Sequence, residues 1–226
     1  MDWSPILISM KTASVSIVIT FFLGILAAWW VVGMKNERMK VILDGILTLP
    51  LVLPPTVAGF FLLYLFGVKR PIGIFFLQYF GVKIAFSWVA TVLAAVVMSF
   101  PLMYRTARSA FEQMDKNLIY AGETLGLSDY KIFWKIIFPN CFPGIAGGTI
   151  LAFARALGEF GATIMLAGNI PGRTQTAAVA VYAAMQNGNR VQAYQWVAVM
   201  VLISFVSVLL VNVVEKQQMK YTMRRK

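Results

Sequence analysis

Residues 121–140 read AGETLGLSDYKIFWKIIFPN, a polar stretch in the middle of an apolar chain. It carries Glu123, Asp129, Lys131 and Lys135 around a central Gly-Leu-Ser-Asp. The whole chain has 226 residues, of which 59% are hydrophobic and 13% are charged. Soluble domains contain about 25% charged residues, so the chain as a whole belongs in a membrane. The polar stretch is therefore expected outside the bilayer, and its role decides which kind of membrane protein this is.

The apolar runs around this stretch predict an all-α, polytopic membrane bundle. A run of roughly 18 apolar residues is long enough to cross a bilayer. Two shorter apolar segments complicate the count: residues 1–10 are expected to form an interfacial helix, and residues 176–186 a half-buried outer segment. A six-span arrangement, in which one of the two crosses, stays open. The five predicted spans are 12–34, 46–67, 84–104, 141–167 and 194–214.

Lysine and arginine are distributed unequally among the segments between these spans. Residues 35–45, 105–140 and 215–226 together contain thirteen basic residues, whereas the remaining connecting segments contain six. Positive charge is enriched on the cytoplasmic side of membrane proteins. The distribution predicts an N-terminus outside and a basic C-terminal tail in the cytoplasm. Anionic lipid headgroups account for the net charge of +11, and no nucleic-acid partner is needed.

The polar stretch and the residues just before it predict two short helices that meet at a corner. The first helix covers residues 117–125, begins after Asp115 and has Gly126 as its C-terminal cap. The second helix, residues 131–138, takes its limits from its flanking residues, Ser128 or Asp129 at the start and Pro139 at the end. On the residues alone, a plain amphipathic connector between two spans explains the segment equally well.

Residue types that usually carry chemistry are scarce. The chain has no histidine and one cysteine, Cys141, so no His/Cys metal site is expected and an intramembrane enzyme is disfavoured. Cys141 is predicted to be a packed, small apolar residue. The sequence also lacks the G-x-x-x-x-G-K-[ST] loop that holds nucleotide phosphates. The chain is therefore predicted to be neither an enzyme nor an ATP-binding protein.

The polar stretch resembles the EAA loop of ABC-transporter permeases. In that pattern Glu-Ala-Ala and three further residues precede a Gly, and nine residues later an Ile-x-Leu-Pro follows. Gly126 takes the position of the Gly, and Ile136 and Pro139 take those of the Ile and the Pro. Ala121 takes the first Ala and Gly122 stands at the second. Two departures matter, because Tyr120 stands at the Glu and Phe138 at the Leu.

In that family the loop forms a coupling helix that sits in a cleft of a separate ATP-binding subunit. The resemblance therefore implies that this segment docks an ATPase, with Ile136 and Pro139 anchoring the loop. The implied coupling helix comprises Ala121, Gly122, Glu123, Thr124, Leu125, Gly126, Leu127, Ser128 and Asp129.

The resemblance extends over residues 8–214, which would form a type I permease domain followed by the basic tail. Residues 49–67, 86–112 and 153–176 are similar to the molybdate permease subunits of ABC importers. Sulfate permease subunits are also similar, but they tend towards Gly-Glu-Tyr-Gly where residues 158–161 read Gly-Glu-Phe-Gly.

This resemblance implies a prokaryotic cytoplasmic-membrane importer of the type I permease fold. It would contain two copies of this chain, two ATPase subunits that hold ATP and Mg, and an external binding protein that delivers molybdate. The chain itself would hold no cofactor. Tungstate or sulfate is the alternative cargo. An ion-driven secondary transporter is the more distant alternative, because such proteins usually contain an internal repeat and none is evident.

Two charged residues fall inside the fourth predicted span. Arg155 and Glu159 are four residues apart and share a helix face. Charges within a membrane often line a transport path, but mutual neutralisation explains this pair equally well. The further pathway or gate candidates are Thr163, Ser99, Pro54 and Pro55. By resemblance, the outer turn at residues 168–172 lies where the binding protein docks, with Asn169 and Arg173 as candidate contacts.

Overall fold

The computed structural model describes the backbone of residues 2–223 and the side chains of residues 2–209, 212 and 213. Eleven α-helices and one π-helical turn, Phe133–Ile137, make up this part of the chain. The α-helices are α1 Ser4–Val32, α2 Glu37–Val52, α3 Pro55–Phe66, α4 Pro71–Phe80, α5 Trp88–Glu112, α6 Lys116–Thr124, α7 Asp129–Ile132, α8 Phe138–Leu157, α9 Gly161–Ala167, α10 Ala177–Gln186 and α11 Arg190–Met223. The expected start of the basic tail at residue 215 falls within α11, and residues 224–226 lie outside the described residues.

The predicted all-α membrane bundle is confirmed. Within the described residues, four helical stretches are long and apolar enough to cross a membrane, and the bent pair α2–α3 makes up to five. The four are α1, α5, the first twenty residues of α11, and a continuous run from Asp129 to Leu157 that joins α7, the π-turn and α8. The third of the predicted spans is shifted, because α5 begins at Trp88 and continues to Glu112.

The second predicted span, residues 46–67, is not one helix. It is broken between Val52 and Pro55, and α2 and α3 meet at 110°. Pro54 and Pro55 have no backbone N–H to donate, and a residue before proline is driven into extended conformations. Leu53 and Pro54 accordingly have ψ values of 137° and 133°. The prolines therefore redirect the chain, where a single crossing was expected.

The fourth predicted span, residues 141–167, is broken as well. α8 ends at Leu157, and the seven-residue α9 begins at Gly161. The two broken segments contact each other, since a Cβ atom on Gly161 would lie 2.7 Å from Cβ of Pro55. The second helix of the polar stretch also differs from expectation, because it does not end at Pro139. It continues through the π-turn into α8. The wider hydrogen-bond spacing of the π-turn accommodates Pro139, which has no N–H to donate.

The two short apolar segments are both part of the bundle surface. α1 starts at Ser4, so the expected interfacial helix at residues 1–10 is the beginning of the first span. α10 has ten residues, too few to cross, and it packs on α1 and α11 as a half-buried segment, as predicted. The N–H of Ala177 donates to Oγ of Ser9 at 2.8 Å.

α1 and α5 form the most extensive helix pair of the bundle. Small residues of α1 recur every fourth position at Ser16, Thr20, Gly24 and Ala28, and all four are buried. Such a stripe lets two helices approach closely in a membrane. The hydroxyl groups of Thr20 and Ser99 form a hydrogen bond of 3.2 Å across this interface.

The connecting segments gather at two opposite ends of the bundle, as the charge distribution predicts. At one end, which we call the basic end, Lys40 lies 3.4 Å from Glu112, so residues 35–45 adjoin the segment after α5. At the other end Nε1 of Trp196 donates to the carbonyl of Asp2 at 3.2 Å. The backbone N–H of Phe86 there donates to the carbonyl of Leu166 at 3.1 Å.

Replacing Gly24 with valine is expected to destabilise the bundle by about 1–3 kcal/mol, the usual cost of overpacking. A Cβ atom on Gly24 would lie 2.7 Å from Cγ of Met103 and 3.2 Å from the backbone nitrogen of Tyr104. The matched control is Gly45→Val, because no atom lies within 4 Å of a Cβ at Gly45. Thermal unfolding in detergent measures the difference, and equal midpoints for the two variants would contradict close α1–α5 packing.

Candidate functional site

Hydrogen bonds at both ends of α6 fix the backbone of the corner between α6 and α7, which lies at the basic end. Asp115 caps the start of α6, because its carboxylate accepts the N–H of Asn117 at 2.9 Å. At the C-terminal end the N–H of Leu127 donates to the carbonyl of Gly122 at 3.1 Å, and that of Gly126 to Glu123 at 2.9 Å. This pair of bonds is a Schellman motif, and it requires the left-handed φ of +70° that Gly126 adopts. The predicted cap at Gly126 is confirmed.

Gly122 faces the bundle and not the outside. A Cβ atom there would lie 2.8 Å from Cδ1 of Ile136 and 3.2 Å from Cγ1 of Ile132. Gly122 is the buried residue of α6, so it seats the helix on the chain's own isoleucines. Ile136 therefore anchors the corner from within the same chain, and Gly122 has no surface left to offer a partner.

The opposite face of the corner exposes large apolar side chains. Leu125 is 79% exposed, Tyr130 74% and Tyr120 57%. Leu127 is half-buried against the core. The other members of the implied coupling helix are exposed: Ala121, Glu123, Thr124, Gly126, Ser128 and Asp129. We call α6, the turn after it and α7, residues 116–132, the α6–α7 segment. It presents an apolar surface on a rigid backbone.

The α6–α7 segment is attached to the spans by packing that continues into the bundle core. Ile132 belongs to a buried cluster with Phe111 of α5 and Val31 of α1. The ring of Phe133 contacts the ring of Trp29, with centroids 5.0 Å apart. Cys141 is buried, as predicted, and its thiol donates to the carbonyl of Ala110 at 3.3 Å. A displacement of the segment would therefore move α1, α5 and α8 together.

The structure contains a network of charged side chains at the basic end that the sequence analysis did not predict. Asp44 of α2 forms an ion pair with Arg108 of α5 and accepts the hydroxyl of Tyr104 at 3.0 Å. Arg108 also donates from Nε to Glu112 at 2.9 Å. The four-residue spacing of Arg108 and Glu112 was visible, but the pairing with Asp44 depends on how α2 packs on α5. The network holds α2, whose residues are otherwise poorly buried, to the bundle.

Arg155 and Glu159 form the predicted ion pair, with Nη1 and Oε2 2.6 Å apart. Oε2 forms this ion pair and has no hydrogen-bond partner within the described residues. The other oxygen, Oε1, accepts the backbone N–H of Ala162 at 2.7 Å. Glu159 is 2% exposed, and the Arg155 side chain is 28% exposed. The carboxylate thus joins the end of α8 to the start of α9 across the break.

The remaining pathway candidates lie in different surroundings. Thr163 of α9 is buried, and the hydroxyl of Ser99 donates to the carbonyl of Ala95 at 2.7 Å inside the bundle. Pro55 packs on Gly161, whereas Pro54 is exposed at the break between α2 and α3. The structure therefore brings Pro55 to α9, and it places Ser99 at the α1–α5 interface.

The outer turn after α9 is closed by its own side chains. Oδ1 of Asn169 accepts Nε2 of Gln175 at 2.8 Å, and the hydroxyl of Thr174 accepts the N–H of Ile170 at 3.1 Å. Arg173 is exposed on this turn. Among the described residues, no group of three or more His, Cys, Asp or Glu side chains is placed to hold a metal ion.

Comparison with known proteins accounts for nearly the whole chain. The family described as "Binding-protein-dependent transport system inner membrane component" matches residues 20–220. A "Putative molybdenum transport system permease protein YvgM" of Bacillus subtilis is 42% identical over 203 residues, which are 90% of this chain and 89% of that protein. The "Molybdenum transport system permease protein ModB" of Escherichia coli K12 is 46% identical over 185 residues, 82% of this chain and 80% of that protein.

Solved structures share the fold at low sequence identity. A structure of the MetNI methionine ABC transporter matches with a TM-score of 0.66 and 16% identity, over 93% of this chain and 94% of that one. A bacterial alginate ABC transporter matches with a TM-score of 0.73 and 13% identity, over 95% of this chain and 78% of that one. The bundle with its α6–α7 segment is thus the fold of type I ABC transporter permeases, and the chain belongs to the family of binding-protein-dependent transport system inner membrane components.

Proposed function

We propose that this chain is the membrane-spanning permease subunit of an ATP-driven importer that carries molybdate across the cytoplasmic membrane. Its relatives in Bacillus and Escherichia, at 42% and 46% identity, are named for molybdenum transport, which supports this cargo. The working complex contains two copies of this chain, two ATPase subunits and an external binding protein. ATP and Mg are held by the ATPase subunits, in keeping with the missing phosphate loop.

The observation that carries the proposal is the exposed apolar surface of the α6–α7 segment. Leu125 and Tyr130 are both more than two-thirds exposed at the end of the bundle where basic residues concentrate. Basic residues mark the cytoplasmic side of membrane proteins, so this surface faces the compartment that contains ATP. Large apolar side chains held out from a rigid corner suit a cleft on a partner protein. The partner we assign to it is the ATPase subunit.

The packing suggests how movement of the ATPase would reach the membrane. Because the Schellman motif and the Asp115 cap fix its backbone, the α6–α7 segment acts as a rigid body. Its contacts through Ile132 and Phe133 pass a displacement to α1, α5 and α8. α8 ends at the break that Glu159 bridges, and α9 beyond it packs on α3. We infer that α3 and α9, the short halves of the two broken segments, form the gate.

In this mechanism Arg155 and Glu159 hold the gate together and do not form a strong cargo site. The carboxylate offsets the charge that Arg155 could offer to an oxyanion, and both of its oxygens are engaged within the chain. Weak contact with the cargo suits an importer that receives it from a binding protein. Asn169 and Arg173, on the turn after α9, are assigned to that binding protein, since they lie at the end opposite the α6–α7 segment.

The docking surface is tested with Leu125→Glu, with Met39→Glu as the matched control, because Met39 is also an exposed apolar residue near the basic end. In liposomes containing the chain, its ATPase subunit and its binding protein, the unmodified complex is expected to accumulate molybdate when ATP is supplied. Leu125→Glu places a charge in the apolar contact, and we expect at least about a tenfold loss of ATPase capture and of uptake, as for a contact residue worth more than ~1.4 kcal/mol.

Sulfate is added as a competitor in the same assay, and it is expected to leave molybdate uptake unchanged. Normal capture and uptake by Leu125→Glu would show that the segment is only a connector. Uptake by the unmodified complex without ATP would contradict an ATP-driven importer.

The orientation is tested with single cysteines in a chain whose Cys141 has been replaced by alanine. An impermeant thiol reagent added outside is expected to label Ser4→Cys, at the start of α1, and to leave Glu123→Cys on α6 unlabelled. In membranes that lack the ATPase subunit, disruption of the bilayer should then expose Glu123→Cys. The reverse labelling of intact cells would place the α6–α7 segment outside and overturn its role in docking an ATPase.

The ion pair is tested by removing one partner and then both. Arg155→Met leaves the buried Glu159 carboxylate unpaired, which typically costs about 3–5 kcal/mol. Adding Glu159→Gln removes the charge but keeps an oxygen that can accept the N–H of Ala162. We expect Arg155→Met to yield little folded complex and the double variant to recover both folding and uptake. Recovery of folding alone, with uptake still lost, would mean that the pair contacts the cargo.

A further inference from the structure

The corner between α3 and α4 contains an open cavity that is lined in part by α3. α3 ends at Phe66, the chain turns through Gly67, and α4 starts at Pro71. The turn is tight, since a Cβ atom on Gly73 would lie 2.0 Å from the carbonyl oxygen of Gly67. The cavity has a volume of about 360 Å³, and its lining includes Phe60, Leu63, Tyr64, Lys69, Arg70 and Phe86.

Two cations lie at the rim of this apolar cavity. Lys69 and Arg70 are exposed, and the guanidinium of Arg70 is 4.1 Å from the centre of the Tyr64 ring. The sequence has no Asp or Glu between residues 45 and 111, so no acidic neighbour along this stretch of chain neutralises them. The cavity therefore combines an apolar interior with a positively charged rim, which suits an amphiphile with an anionic head.

The wall of the cavity is held in an unusual conformation. The backbone of Phe86 has a φ angle of +58°, a value that residues other than glycine rarely adopt. Its N–H donates to the carbonyl of Leu166 at 3.1 Å, and its ring lies against Gly168, where a Cβ would be 3.2 Å from Cδ1 of the ring. The cavity is therefore a preformed part of the fold.

The corner also carries the residues that mark the headgroup level of a membrane. α4 is an apolar helix with exposed aromatic rings at Phe75, Tyr79 and Phe80. At the same end of the bundle, Lys11 stacks on the ring of Trp88, 4.4 Å from its centre. Aromatic rings and long basic side chains gather where the hydrocarbon meets the lipid headgroups.

We propose that this corner binds one anionic phospholipid of the leaflet that meets residues 67–86. The lipid phosphate lies between Lys69 and Arg70, and one acyl chain enters the cavity against Phe60 and Leu63. The site does not depend on the identity of the cargo or on the ATPase.

The test uses the purified full chain in detergent and native mass spectrometry, with phosphatidylglycerol and phosphatidylcholine as probes. We expect the unmodified chain to retain one phosphatidylglycerol per protomer and to prefer it over phosphatidylcholine. Because a basic residue near a membrane surface contributes about a fivefold change in affinity, Arg70→Gln is expected to weaken phosphatidylglycerol retention by about that factor. Arg190→Gln is the control, since it removes one exposed positive charge from the same end.

Tyr64→Leu provides a second variant, which removes the ring beneath Arg70 and keeps the cavity apolar. It is expected to weaken phosphatidylglycerol binding in the same direction. Equal retention by Arg70→Gln and Arg190→Gln would overturn the proposal. Displacement of the lipid by millimolar inorganic phosphate would overturn it in favour of a free-anion site, and displacement by the external binding protein in favour of a protein-docking surface.

Discussion

The two breaks in the membrane-spanning segments are permitted only because the chain satisfies the backbone groups that they release. Lipid offers no hydrogen bonds, so an interrupted helix needs internal partners for its free N–H and C=O groups. Glu159 supplies one such partner, since its Oε1 accepts the N–H of Ala162 while Arg155 balances its charge. Without this carboxylate the first turn of α9 would lose its cap, and α8 and α9 would lose their connection.

The close contact of α9 with α3 follows from that anchoring. Gly59 and Ala162 approach so closely that a Cβ on Gly59 would lie 2.7 Å from Cα of Ala162. The two short helices therefore pack closely through small residues, and Leu62 of α3 and Leu166 of α9 lie in one buried cluster beside this contact. The long helices α1 and α5 are joined instead by buried hydrogen bonds such as Thr12 to Thr91 at 2.9 Å. The fold thus places a short, closely packed helix pair beside a long pair that is also joined by buried hydrogen bonds.

Sequence reasoning could locate what depends on composition and local spacing. Apolar length marked the spans, and Asp115 with Gly126 marked both ends of α6, since capping is decided within a few residues. Sequence reasoning failed where contacts between residues far apart in the chain determine the structure. Pro54 and Pro55 are gate candidates in the sequence, but the residues around them do not predict that α2 and α3 meet at 110°. Gly122 looked like part of a docking surface, yet Ile132 and Ile136 occupy the space beside it. The Asp44–Arg108 pair could not be derived from either helix alone.

Most of the acidic residues fall into two groups, those bonded within the chain and those exposed on the α6–α7 segment. Within the described residues five acids are engaged internally: Asp44 and Glu112 pair with bases, Glu159 bridges the α8–α9 break, Asp115 caps α6, and Asp2 accepts the N–H and the hydroxyl of Ser4. Glu123 and Asp129, in contrast, are exposed on the α6–α7 segment beside Leu125. Lys116 and Lys131 are exposed on the same segment, so its charges balance in a chain with twenty basic residues and nine acidic ones. Apolar anchors supply affinity, and charges of both signs around them favour a partner whose own charges are complementary. On the proposed docking surface, the charged residues around Leu125 are therefore the part that would select the partner, while the helix beneath them supplies rigidity.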